Sequence, residues 1–130
     1  MIIRRQGVFL IEVAAALVLL GALAAIVAQT VAWSAAERRA SERREIALAE
    51  AANAIERLAA TDWESLAPEA ATETQLSPVA KQMLPGGRIT HEIQATTGSP
   101  PAKRIAVEVQ YRNQAGEPEA PVRLTTWVYR

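Results

Sequence analysis

The sequence predicts an α+β protein in which a long N-terminal helix packs on a small antiparallel sheet of about three strands. The first half of that helix is apolar enough to span a bilayer. Three observations predict this. Residues 8–28 are apolar except for Glu12. Residues 34–60 are rich in Ala, Glu, Arg and Leu and hold no Gly or Pro, which favours an unbroken helix. The last third alternates apolar and polar residues with a period of two, the mark of half-buried strands.

The elements follow in order. Residues 13–28 carry no polar side chain. Counted from Val8 across Glu12, the apolar run is about 20 residues long, which at about 1.5 Å per residue crosses a hydrocarbon core of roughly 30 Å. Gln29 and Thr30 begin the exit, and Trp33 stands where an interfacial aromatic belongs. This divides the chain into a transmembrane segment over 8–33, a helical continuation over 34–60 and a small α+β head over 61–130. Residues 37–45 are mostly charged and are expected to be solvated or against lipid headgroups. Further on, Leu48, Ala52, Ile55 and Ala59 recur at helical spacing with Leu58 beside them, and that stripe is expected to meet the core.

Thr61 and Glu64 have capping-box spacing, which predicts a separate helical turn ended by Pro68. Residues 69–75 read as a polar loop. Ser77-Pro78, the next six residues and Pro85-Gly86-Gly87 read as a short capped helix with a breaker. Three strands come next. Over 88–95, Ile89, His91, Ile93 and Ala95 share one face; over 104–112, Ile105, Val107, Val109 and Tyr111 do. Over 122–130, Val122, Leu124, Thr126 and Val128 share one face, with Trp127 and Tyr129 on the other. Connections over 96–102 and 113–121 are short, so the strands are expected to form a meander packed on the helix.

Composition narrows the function. The 130 residues hold 14 basic and 14 acidic side chains and no cysteine. No overall field favours nucleic acid, and no basic–aromatic interleaving of the nucleic-acid-binding kind appears. A chain without cysteine has no disulfide framework. Catalysis finds no support: there is no P-loop and no nucleophile–base set distinguishable from chance. No cofactor is implied. His91 is the single histidine, so a zinc site is not expected, and it reads as a strand residue at the sheet margin. Asn113, Gln114, Glu117 and Glu119 cluster in the last connection, but Pro118 and the spacing fit a solvated hairpin loop better than a calcium loop.

The N-terminus carries the sharpest motif. Arg4 and Arg5 precede Gly7, then Val8, Phe9, Leu10, Ile11 and Glu12. A carboxylate inside an apolar span costs about 2.5–3.5 kcal/mol at a helix centre on insertion scales, so it usually marks function. An ordinary secretory signal has the basic start and apolar middle but no such carboxylate.

This stretch resembles the type IV pilin and type II secretion pseudopilin family, whose architecture is a lollipop with a long helical stem. The resemblance implies that residues 1–7 are a leader, that Arg4 and Arg5 are its basic part, and that a membrane-embedded prepilin peptidase cuts between Gly7 and Val8. It implies methylation of the new Val8 amine. It also implies that this ammonium pairs with the Glu12 carboxylate of a neighbouring subunit and sets the stagger of stacked helices. The family usually begins its mature chain with phenylalanine; here Phe9 stands second. Cleavage would remove two of the basic residues and none of the acidic ones, leaving a side-chain balance of −2.

The implied protein is a structural subunit, not an enzyme. It would sit in a bacterial inner membrane by one span with its head in the periplasm. Its partners would be the peptidase, other pilins or pseudopilins, an assembly platform and membrane lipid. Residues 46–58 resemble the helix segment of I-type minor pseudopilins and of V-type minor pilins. An unrelated signal-anchored periplasmic binding module is the alternative of a different class; it would not need Gly7 or Glu12. Two further features stay open. Arg38, Arg39, Arg43 and Arg44 beyond the span oppose the positive-inside rule for a cytoplasmic leader. Gly21 with Ala25, and Ala24 with Ala28, have the small-xxx-small spacing of a helix contact face, which an Ala-rich helix also gives by chance.

Overall fold

The computed structural model describes residues 3–130, with side chains from residue 8 onward. The elements are α1 (Ile3–Ala59), β1 (Glu69–Thr74), α2 (Pro78–Met83), β2 (Arg88–Thr96), β3 (Ala102–Gln110) and β4 (Val122–Tyr129). The chain forms two compact units, Met1–Arg39 and Ala40–Arg130. Within the first, the helix exposes its apolar side chains; Leu17, Val18, Leu19 and Leu20 are each more than 60% open. It is the one helix among the described residues long and apolar enough to cross a membrane.

The second unit is an α+β head. Its sheet is antiparallel with order β1-β2-β3-β4, a simple meander. The sheet has four strands where about three were expected. The difference is β1, read from sequence as a loop. Its residues Glu-Ala-Ala-Thr-Glu-Thr hold no large apolar side chain, and all but one position is exposed, so no period-two signal marks it. It joins β2 as an edge strand, with a register break between Glu69 and Thr72.

The inner face of the sheet follows the expected alternation. Ile89 and Ile93, then Ile105, Val107, Val109 and Tyr111, then Val122 are buried against α1. On α1 the buried face is displaced from the expected stripe. Ala47, Ala51 and Ala54 are buried with Glu50 between them, Ile55 and Leu58 pack at the margin, and Leu48 is 47% exposed. The reason is steric: alanines let the helix backbone approach closely while the strands supply the branched bulk that fills the layer.

Beyond α1 the expected capping box does not form. The Thr61 hydroxyl donates back to the Arg57 carbonyl at 3.1 Å, so it closes α1 instead of opening a new helix. A turn follows, with Leu66 N–H donating to Asp62 O at 3.1 Å, and Leu66 is buried. The short helix α2 does form as read. Ser77 caps it through Ala80 N–H at 3.2 Å, and Pro78 starts it. Gly86 turns the chain out at φ 61°, a conformation that favours glycine. At Gly87 an added Cβ would meet Leu76 Cδ1 at 2.8 Å, so the turn also needs a missing side chain there.

Candidate functional site

The candidate site is the start of α1. Arg4, Arg5 and Gly7 lie outside the residues whose side chains are described. Val8 is 66% exposed and Glu12 is exposed. They are four positions apart on a continuous helix, so they stand about one turn apart on the same face. No glycine or proline interrupts the helix between them. Glu12 therefore projects from an apolar cylinder whose other side chains are open to a lipid or protein environment. Gly21 has open space where a side chain would stand, which leaves the small-residue face accessible. Trp33 is 74% exposed, as an interfacial anchor on this helix would be.

The head contains three polar arrangements that bear on function. On the inner side, the Ser77 hydroxyl donates to Glu50 Oε1 at 2.6 Å and its N–H to Oε2 at 3.1 Å. This ties the cap of α2 to α1. At the end of the sheet, Lys103 is buried. Its ammonium donates to the Trp63 carbonyl and lies 4.5 Å from the centre of the Trp63 ring. The contact satisfies a charge on the core face of β3. Lys103 is in phase with Ile105, so strand parity places it inward; the reading from sequence began this strand at residue 104 and so left Lys103 outside it, whereas β3 begins at Ala102.

The third arrangement centres on His91. Its Nδ1 lies 2.9 Å from Thr74 Oγ1 and its Nε2 lies 3.3 Å from Glu69 Oε2, while the Thr72 hydroxyl donates to Glu69 Oε1 at 2.8 Å. The Thr72 bond, and after it the His91 bond, hold the Glu69 carboxyl below its ordinary range. His91 thus fastens β1 to β2. No group of three metal-ligating side chains occurs among the described residues.

The charged segment of α1 is mostly solvated, as read, with one exception. Arg43 is half-buried and its Nε has no hydrogen-bond partner among the described residues. Arg43 and Arg44 act electrostatically on buried Tyr111. Burial raises the Tyr111 phenol above its usual range, Glu119 adds to the rise, and the two arginines oppose it. In the 113–121 connection, Glu117 N–H donates to Asn113 Oδ1 at 2.9 Å and Asn113 Nδ2 donates to Glu117 Oε2 at 3.0 Å. Both side chains are spent on closing the loop, where Gly116 takes φ 83°.

No family model, no curated protein and no solved structure matches this chain.

Proposed function

We propose that this chain is a minor pseudopilin, a structural subunit of a type II secretion pseudopilus. The observation that carries the reading is Gly7-Val8 followed by Glu12 at the head of an exposed apolar helix. After cleavage between Gly7 and Val8, the free ammonium of Val8 in one subunit meets the Glu12 carboxylate of its neighbour. In hydrocarbon each charge strongly favours a partner, so the pair selects one stagger between helices. The subunit sits in a bacterial inner membrane by a single span, with the head in the periplasm. Prepilin peptidase processes it, and an assembly platform and other pseudopilins receive it. The chain's own role is packing; the chemistry belongs to those partners. A minor pilin of a type IV pilus is the second reading, favoured by the likeness of residues 46–58 to V-type minor pilins as well as to I-type minor pseudopilins.

The test is intact mass of the full chain isolated from its host membrane, alongside a Gly7→Val variant. The expected mass is that of a chain beginning at Val8 and carrying one methyl group, with processing lost in the variant. A full-length mass indifferent to Gly7 would sink the prepilin reading and leave a membrane-anchored head.

A further inference from the structure

The sheet ends on two edges that differ in kind. An edge strand offers a row of unpaired N–H and C=O groups to another chain unless it is short, charged, bulged or covered. The β1 edge has such guards: six residues, Glu69 and Glu73, and a broken register. The β4 edge is longer, unbroken and nearly uncharged. It runs eight residues without proline, pairs with β3 in unbroken register from Val122 to Tyr129, and carries Arg123 as its one charge. Among the described residues it pairs on one side only. Leu124 and Val128, at the margin of the core, are left half-buried, and on the opposite face Trp127 and Tyr129 are exposed.

We propose that the open edge of β4 pairs antiparallel with β4 of a second copy of this chain. This stands apart from the pseudopilin reading, since it rests on the head alone. The strand's own sequence selects the occupant. Side chains alternate between faces, so a pairing that keeps both cores on one side sets residues of like parity opposite each other. Two such registers use all but one residue of the strand. In one, Thr125 lies on the two-fold axis, Val122 meets Val128, Leu124 meets Thr126, and Arg123 meets Trp127. In the other, Thr126 lies on the axis, Leu124 meets Val128, and Arg123 meets Tyr129. Both set the strand's one cation against the electron-rich face of an aromatic ring of the other copy, twice per dimer. Both keep the inner row apolar or threonine, and neither opposes like charges. The pairing also closes. The joined eight-stranded sheet has a β1 at each outer edge, and that edge is guarded, so the assembly stops at two.

The chain has no cysteine, which gives a direct test. Thr125→Cys and Thr126→Cys each place a thiol across the axis from its own copy in one of the registers. The Cα separation in an antiparallel pair, about 4.5–5.5 Å, suits a disulfide. Glu73→Cys, on the guarded edge, reports random collision. The full-length variants are oxidised in detergent micelles and read by non-reducing electrophoresis and intact mass. The expected result is abundant disulfide dimer from one threonine position and little from Glu73→Cys. Adding Arg123→Glu to that variant lowers the yield several-fold. Yields at both threonines no higher than at Glu73→Cys overturn the proposal. So do oxidised host membranes in which the thiols are captured only by a protein of different mass.

Discussion

Glu50 shows how a single residue fixes the head. It is a carboxylate at 9% exposure, on the face of α1 that meets the core, and it accepts both hydrogen bonds that Ser77 offers. Ser77 in turn caps α2. Glu50→Ala leaves the part-buried N–H and hydroxyl of Ser77 without their acceptor, which is expected to cost about 1 kcal/mol, the low end of the range for an unsatisfied buried group. The check is the denaturant midpoint of the full chain in detergent, read by near-UV circular dichroism, in a double-mutant cycle with Ser77→Ala. A coupling of about 0.5–3 kcal/mol is expected for residues in one network. Additive effects would show that the two side chains act separately. The Ser77-Pro78 cap was readable in advance because capping chemistry is local. Glu50 was not, because a glutamate in a charged helix looks solvated until its neighbour across the core is known.

At the scale of elements, two of the differences from the sequence reading, β1 and the buried face of α1, share a cause. Periodicity detects an element through the side chains it buries. β1 buries almost nothing: its backbone pairs with β2, and Thr72, Thr74 and Glu69 work through His91. On α1, size misled. Leu48 drew the expected stripe to its own face, yet the helix turns alanines inward. The exchange test follows from this geometry. Ala51→Leu forces bulk between α1 and the sheet and is expected to cost about 1–3 kcal/mol by overpacking. Leu48→Ala removes an exposed side chain and should stay within about 0.5 kcal/mol of the parent. The same midpoint measurement decides, and the reverse order would place the buried face on the Leu48 stripe. β2, β3 and β4 were legible because large apolar residues recur at every second or fourth position on their inner rows, Ile89 and Ile93, then Ile105, Val107 and Val109, then Val122, and all of these are buried.

For the whole molecule, the apolar helix and the head were legible as a change of period, from continuous apolar residues to helical spacing to alternation. The candidate site was legible for a different reason. Its residues lie within a few positions of each other, so a helix alone brings Val8 and Glu12 to one face, with no tertiary folding to foresee. In the pseudopilin reading proposed above, the partner of Glu12 is in another chain, and no single chain can supply that. Glu12→Ala separates anchoring from assembly on this ground. Removing the carboxylate relieves an insertion cost that is about 2.5–3.5 kcal/mol at a helix centre and smaller this near the end of the span, so the helix should enter the membrane at least as well as before. A neighbour's ammonium would then face hydrocarbon unpaired, and joining a filament should fail. Fractionation measures the first effect, and cross-linking to other membrane-anchored subunits in the host measures the second. Loss of cross-links with membrane content preserved is the expected outcome. Full cross-linking by the alanine variant would mean that Glu12 is a tolerated carboxylate at the membrane edge and that the stagger is set elsewhere, the accessible small-residue face around Gly21 being the next place to test.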